Sequence, residues 1–192
     1  MTAKTHDLAA ATALGIVFVI HPLDTMSLST ALIALLANQI GGIAPDLDQP
    51  TAPFWRNLPV GRFFGKLFGK LAGGHRFLSH SIIGVALFGI GATALLHAIN
   101  PLMPHVDIGF VWWAFMIGVV SHLVMDSMTR EGVPWLLPIP IKLGFPPIKS
   151  LRITTGKSIE LLVILPALLA VNIWLYSAHY AKFAAFFHHY LG

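Results

Sequence analysis

Apolar positions along the chain gather into five long blocks, roughly 7–22, 27–44, 82–99, 108–126 and 159–177, separated by short polar or proline-rich connections. Each block approaches the ~17–20 residues that a membrane-spanning helix needs. The pattern predicts an all-α, multi-pass membrane helix bundle of about five spans, with 1–192 forming a single membrane-embedded domain. Spans this short fit a compact bundle with tilted or partly re-entrant members. In the third block Gly84, Gly89, Gly91 and Ala92 predict close helix approach. The first block follows Lys4, as a secretion signal would. However, His6 and Asp7 interrupt its entrance and no small-residue cleavage pattern follows Ile20, so it reads as a retained helix.

Composition supports this reading and narrows the chemistry. The 192 residues are 56% hydrophobic and 10% charged, where a soluble domain carries roughly 25% charged residues. With a mean hydropathy of +0.75, a soluble globule, a coiled coil and a disordered chain are excluded. There is no cysteine, so disulfides, thiolate metal sites and Cys nucleophiles are excluded too. Any metal must be held by His nitrogen and by carboxylate or carbonyl oxygen. Ten histidines outnumber the eight acids, an expensive choice for a chain immersed in hydrocarbon.

The basic residues set an orientation. Lys4, the connection after the second span (Arg56, Arg62, Lys66, Lys70, Arg76) and that after the fourth (Arg130, Lys142, Lys149, Arg152, Lys157) put eleven of twelve on one side. By the positive-inside rule that side is the cytoplasm of a bacterial inner membrane, with the N-terminus in and the C-terminus, near Lys182, out. No basic stripe stands clear of hydrophobic sequence, which argues against nucleic acid. Arg62, Lys66 and Lys70 recur every four residues among Phe63, Phe64, Leu67, Phe68 and Leu71. The segment 62–70 therefore reads as an interfacial amphipathic helix, with anionic lipid headgroups as its counterpart. The later stretch V-P-W-L-L-P-I-P-I-K-L-G-F-P-P-I is broken by Pro134, Pro138, Pro140, Pro146 and Pro147. These forbid a regular helix and predict a proline-broken cytoplasmic flap. A surface anchor without catalytic meaning is the plainer reading of both segments. Oligomeric state has no signature in the sequence.

On this topology five segments deliver polar residues to one end of the bundle. His6 opens the first span, G-G-I-A-P-D-L-D-Q-P sets Asp46 and Asp48 at the mouth of the second, and G-H-R-F-L-S-H-S brings His75, Arg76 and His80 to the third. S-H-L-V-M-D places His122 and Asp126 four apart on one helix face, and T-G-K-S-I-E starts the fifth span with Glu160. Each piece has an ordinary structural explanation: an acidic turn, a helix cap, an intrahelical ion pair, or a dipole-compensating Glu. Their coincidence at one membrane face favours a site. Clustered buried carboxylates and imidazoles are costly unless cations neutralise them. The expected ligands are His6, Asp46, Asp48, His75, His80, His122, Asp126 and Glu160. The expected cofactor is one or two divalent ions, with Zn, Mn or Fe suited to this donor set. His21, His97, His105, His179, His188 and His189 fall on the opposite side with Asp24 and Asp107, and carry no chemistry in this reading.

The ordered motifs T-A-K-T-H, A-P-D-L-D-Q-P, G-H-R-F-L-S-H-S, S-H-L-V-M-D-S-M-T-R-E-G-V-P-W-L-L-P and T-G-K-S-I-E resemble those of the LexA-regulated, inner-membrane-associated metal-dependent hydrolases of bacteria. The resemblance covers about residues 2–160. It implies a multi-pass membrane protein, metal-dependent hydrolysis, control by the LexA repressor in some members, and polar site positions matching His6, Asp46, Asp48, His75, His80, His122, Asp126 and Glu160. The chain departs from the family pattern at Ser79, where Thr is usual, and at Arg130 and Glu131, where smaller residues are common.

Residues and resemblance together predict a membrane-bound hydrolase that cleaves a phosphoester or related ester of a phospholipid or other membrane lipid. Asp126 or Glu160 is the expected proton acceptor and Arg76 the expected clamp on a phosphate oxygen. Thr129, Thr155 and Ser158 are expected to orient ligands through hydrogen bonds. Two other classes compete: a metal-cation transporter or sensor, and a non-catalytic scaffold whose metal staples the helices. Midplane polarity is sparse, with Asn38 and Gln39 its main members, which disfavours a transport path.

Overall fold

The computed structural model describes residues 1–192 apart from 22–25, 72, 75, 140 and 192; Asp24, His75 and Pro140 therefore lie outside the described residues. Among the described residues there are helices and turns but no strand. Five segments are long and apolar enough to cross a membrane: Ala3–Ile20, Leu28–Asp48, Ile82–Leu102, Ile108–Ser127 and Glu160–Ala178. The elements are α1 (Ala3–Ile20), α2 (Leu28–Ile43), α3 (Pro53–Arg56), α4 (Gly61–Leu71), α5 (Ile82–Ile99), α6 (Ile108–Ser127), α7 (Leu165–Ala178) and α8 (Tyr180–Leu191).

Helix starts follow local chemistry. Ser27, Ser81 and Asp107 precede α2, α5 and α6, and their side chains accept from the N–H groups of Thr30, Gly84 and Phe110, satisfying donors a helix start leaves open. Pro45 sits at the start of a 3-10 turn, Ala44–Asp48, that carries the second span past α2. The first helix begins at Ala3, four residues before the expected boundary. Its polar opening residues Thr5 and His6 are buried within the fold and not left at a solvated entrance.

The tightest packing joins α2 to α6 through glycine. A Cβ at Gly41 would strike the carbonyl of Phe115, and one at Gly118 would strike the carbonyl of Asn38. The Asn38 amide also donates to the carbonyl of Ala114 at 3.0 Å. Close approach in α5 holds at two of its three glycines: a Cβ at Gly84 would strike the Leu78 carbonyl. Gly89 lies against Trp112, whose indole N–H donates to the Gly89 carbonyl, but Gly91 faces open space. The inner helices α1, α2 and α6 form the core, whereas only 17% of the third span and 6% of the fifth are buried. Their outward faces are apolar, as contact with lipid requires.

The sequence did not predict α8. It folds back over one end of the bundle, where Phe186 joins Leu14, Phe18 and Ala34 in the core. Lys182 Nζ donates to the carbonyls of Val19 and His21 at 2.7 Å each, satisfying acceptors at the end of α1. At the other end α4 matches the expected amphipathic helix, with Phe63, Phe64 and Leu67 exposed. Among its described residues, the proline-rich segment after α6 forms no helix. Isolated bridges pair Thr129 with Ile153 and Val133 with Leu143, and the Arg152 guanidinium donates to the carbonyls of Pro146 and Pro147.

Candidate metal centre

Four elements converge at the end of the bundle that carries α4 and the proline-rich segment. His6 comes from the first turn of α1, Asp46 and Asp48 from the 3-10 turn after α2, His80 from the turn Leu78–His80 before α5, and His122 and Asp126 from the last turns of α6. All are buried except Asp46, which is 29% exposed and forms the open side.

His122 is the centre of the cluster. Its Nδ1 lies 2.6 Å from the carbonyl of Gly42, so Nδ1 carries a proton and the ring is oriented with Nε2 toward the cluster. That Nε2 has no hydrogen-bond partner, lying 3.6 Å from Asp46 Oδ1 and 3.7 Å from Asp126 Oδ2. The His6 ring stacks on His122 at 3.8 Å, and His6 Nε2 lies 3.2 Å from Asp126 Oδ1. His80 Nε2 is 3.6 Å from Asp126 Oδ2 and 3.8 Å from Asp46 Oδ1.

Two sets of three ligand atoms, each within 4.8 Å of one another, share His122: His6–His122–Asp126 and Asp46–His80–His122. Ligand bonds of about 2.0–2.1 Å in a tetrahedron put neighbouring donor atoms ~3.3 Å apart. The His–carboxylate separations, 3.2–3.8 Å, lie near that spacing, within the 4.8 Å that bounds each set. The locus also draws positive charge from within the chain. The Met1 amino group donates to Asp126 Oδ1 at 2.5 Å and contacts His6 Nε2 at 3.0 Å, and Arg76 pairs with Asp126 Oδ2 at 2.6 Å.

The remaining candidates divide. Asp48 belongs to neither set. It accepts from the Arg76 backbone N–H at 2.9 Å and from Ser79 Oγ at 2.5 Å, while Ser79 Oγ lies 2.8 Å from His80 Nδ1. A carboxylate–hydroxyl–imidazole chain thus turns His80 Nε2 inward. Burial opposes charging of His80, but hydrogen bonding and charge from Asp126 and Asp48 outweigh it and raise its pKa. Glu160, expected as a ligand or base, has both oxygens engaged. Oε1 accepts from Thr2 N–H, Thr2 Oγ1 and Thr5 Oγ1, and Oε2 from Gly156 N–H, all at 2.6–2.8 Å. It locks the start of α1 to the start of the fifth span and thereby fixes His6. His75 lies outside the described residues.

Arg76 occupies the left-handed region at φ 56°, which turns its side chain into the site. It reaches Thr129 Oγ1 at 3.2 Å, and its Nε–H has no acceptor. Thr129 in turn donates to the Asp126 backbone carbonyl, whereas Thr155 and Ser158 are exposed. The Gly42 carbonyl and the Thr2–Thr5 pair escaped the sequence reading, in which Ser79 figured only as a departure from the family pattern. A backbone acceptor has no residue signature, but Ser79 next to His80 was a visible signal. On the opposite side His21, His97, His105, His188 and His189 are exposed and His179 half-buried; none joins a ligand set among the described residues.

An all-helical bundle with five apolar spans, closed at one end over a buried histidine–carboxylate cluster, defines a polytopic membrane protein. The chain belongs to the YdjM inner membrane protein family, whose profile matches residues 1–190. It is also similar to the uncharacterized protein YvsG of Bacillus subtilis (strain 168), with 25% identity over 185 residues, 95% of this chain and 99% of the relative. No solved structure matches the chain. Membership places it in the inner membrane, as the motif resemblance implied.

Proposed function

We propose that the protein is a metal-dependent hydrolase acting on a phosphoester or related ester of a membrane lipid at the cytoplasmic leaflet. The observation that carries this reading is His122: a buried imidazole whose Nδ1–H is committed to the Gly42 carbonyl and whose bare Nε2 faces two carboxylates. Asp46, His80, His122 and Asp126 would hold one divalent ion of Zn, Mn or Fe, with His6 available for a second. Such an ion would supply Lewis-acid polarisation of the ester and a water nucleophile at neutral pH.

The chain's own groups supply the rest. Asp46, with Oδ1 turned to the histidines, would keep its second oxygen on the open side to accept a proton, a better candidate than Glu160 with its four donors. The Arg76 Nε–H, buried without an acceptor, would take a phosphate oxygen. The basic face of α4 would hold anionic headgroups near the opening. LexA control, implied by the motif resemblance, would act at the promoter and place no demand on these residues.

Two observations weigh against the other classes. A transport path needs polar groups through the midplane, yet Asn38 is spent on the Ala114 carbonyl. A purely structural metal has a closed shell, whereas Asp46 opens outward. The deciding experiment is elemental analysis of the purified protein together with hydrolysis of a phospholipid panel. The expected result is a bound transition metal and metal-dependent turnover. Fully folded protein without either overturns the reading.

A further inference from the structure

An apolar groove of about 600 Å³ runs between α1, α6 and the fifth span, with Ala9, Ala13 and Ile16 on one wall and Trp113, Val120 and Val124 on the other. Its only polar side chains, apart from the Trp indoles, are already engaged. Thr12 Oγ1 donates to the Leu8 carbonyl and accepts from Asn172, and Ser121 Oγ donates to the Gly118 carbonyl. Nothing in the groove asks for a polar partner, and its walls belong to spanning segments, so its surroundings are lipid hydrocarbon.

We propose that this groove holds one hydrocarbon chain of the lipid whose headgroup reaches the His–Asp cluster. Three observations fix that occupant. From Trp113 to Val124 the α6 wall is roughly 16 Å long, close to the ~15 Å hydrocarbon depth of a single leaflet. The α1 wall leads to the cluster, since His6, Ala9, Ala13 and Ile16 follow helical spacing along one stripe. At that end, Met1 packs with Ala9 and Met125 while its amino group contacts Asp126, so an apolar tail and a polar head already bridge groove and cluster within one residue. A lipid ester would make the same pair of contacts. The inference rests on the hydrolase reading for its headgroup end only.

The test reconstitutes the full chain in phosphatidylcholine vesicles containing phosphatidylglycerol with a diazirine in mid-chain. Cross-links are mapped by peptide mass spectrometry beside metal analysis. Labelling at Ala13, Ile16 and Val120 should exceed that at Leu87, Ile90 and Leu95, exposed on α5, by about tenfold. Ala13→Trp, or Val120→Trp if the first variant misfolds, should remove the excess while the metal content stays unchanged, and should raise the KM for lipid about tenfold or more. Equal labelling of groove and α5 in metal-loaded protein overturns the groove. So does a dimer that buries it and is broken by Ala13→Trp. Enriched labelling in a protein that never binds metal sustains the groove and refutes the hydrolase.

Discussion

At one end of the bundle, Ser27 accepts from Thr30 N–H, Asp107 accepts from Phe110 N–H, and Lys182 donates to the carbonyls of Val19 and His21. At the other, His6, His80, His122, Asp46 and Asp126 turn side-chain atoms toward one another. Both ends are rich in histidine and polar residues, and both must satisfy helix termini near a membrane interface. The difference lies in where polar atoms are spent. Away from the cluster they are consumed by the backbone. In the cluster the backbone is satisfied first, by Ser81 and by the Gly42–His122 bond, and imidazole and carboxylate atoms are left facing one another.

The largest break in that contrast is predicted for Asp126→Ala. It removes the carboxylate that pairs with Arg76 and faces three histidines, leaving the buried guanidinium only the exposed Glu131 as a counter-charge, 3.3 Å away. Stability should fall by about 3–5 kcal/mol, and bound metal should vanish, read by thermal unfolding in detergent and by elemental analysis. Asp126→Asn, which keeps the shape, should lose the metal with a smaller loss of stability. A metal-replete Asp126→Asn protein would remove Asp126 from the ligand set.

Next in size is Gly41→Ala. The added Cβ meets the Phe115 carbonyl, so α2 and α6 must separate, at about 1–3 kcal/mol for an overpacked site. The same shift lengthens the bond between the Gly42 carbonyl and His122 that orients the ring. Metal affinity should therefore fall along with stability, although residue 41 ligates nothing. Unchanged metal affinity in a destabilised protein would separate the packing from the site.

Much of this contrast was legible in the sequence, because hydrophobic run length reports spans and clustered His and Asp at span ends report a cluster. The spans, the amphipathic α4 and the meeting of His6, Asp46, His80, His122 and Asp126 come from such one-dimensional signals. Assignments of role were not legible in the same way. Asp48 and Glu160 look like Asp46 and Asp126 in sequence, and only their hydrogen-bond partners show that they hold the scaffold. Glycine in α5 suggested close packing, and Gly84 and Gly89 do pack tightly, against the Leu78 carbonyl and Trp112, but Gly41 and Gly118 are what bring two helices together and Gly91 meets nothing, because the facing segment decides which small residue matters. The back-folding of α8 depends on tertiary contacts from Lys182, Phe186 and Tyr190 that no local pattern announces.

Ser79→Ala tests the supporting layer. It removes the hydroxyl bridge between Asp48 and His80, leaving their direct approach at 3.6 Å, without touching a ligand atom, and loss of such support weakens metal binding about 10–100-fold. Ser79→Thr keeps the hydroxyl and should retain most of the affinity. Titration with a competing chelator distinguishes the two. The same His80 gives the site its pH dependence. Its pKa is raised above the usual 6.5, and only the neutral ring can bind a metal, so protons compete from above pH 6.5 downward. Apparent affinity should drop on acidification from pH 8, approaching about tenfold per pH unit, and each metal bound near neutrality should release a proton. His80→Gln should flatten that dependence.

The smallest effect is expected at the far end. His105 is exposed, and only its backbone carbonyl is engaged, accepting from Ser27 and Ser29, so His105→Ala leaves every such bond in place. Stability should stay within about ±0.5 kcal/mol and metal content should not change. If His105→Ala lowered metal content as His122→Ala is expected to, polar atoms at both ends would be serving one function, and the division between backbone-spent and ligand-facing groups would no longer predict which histidines matter.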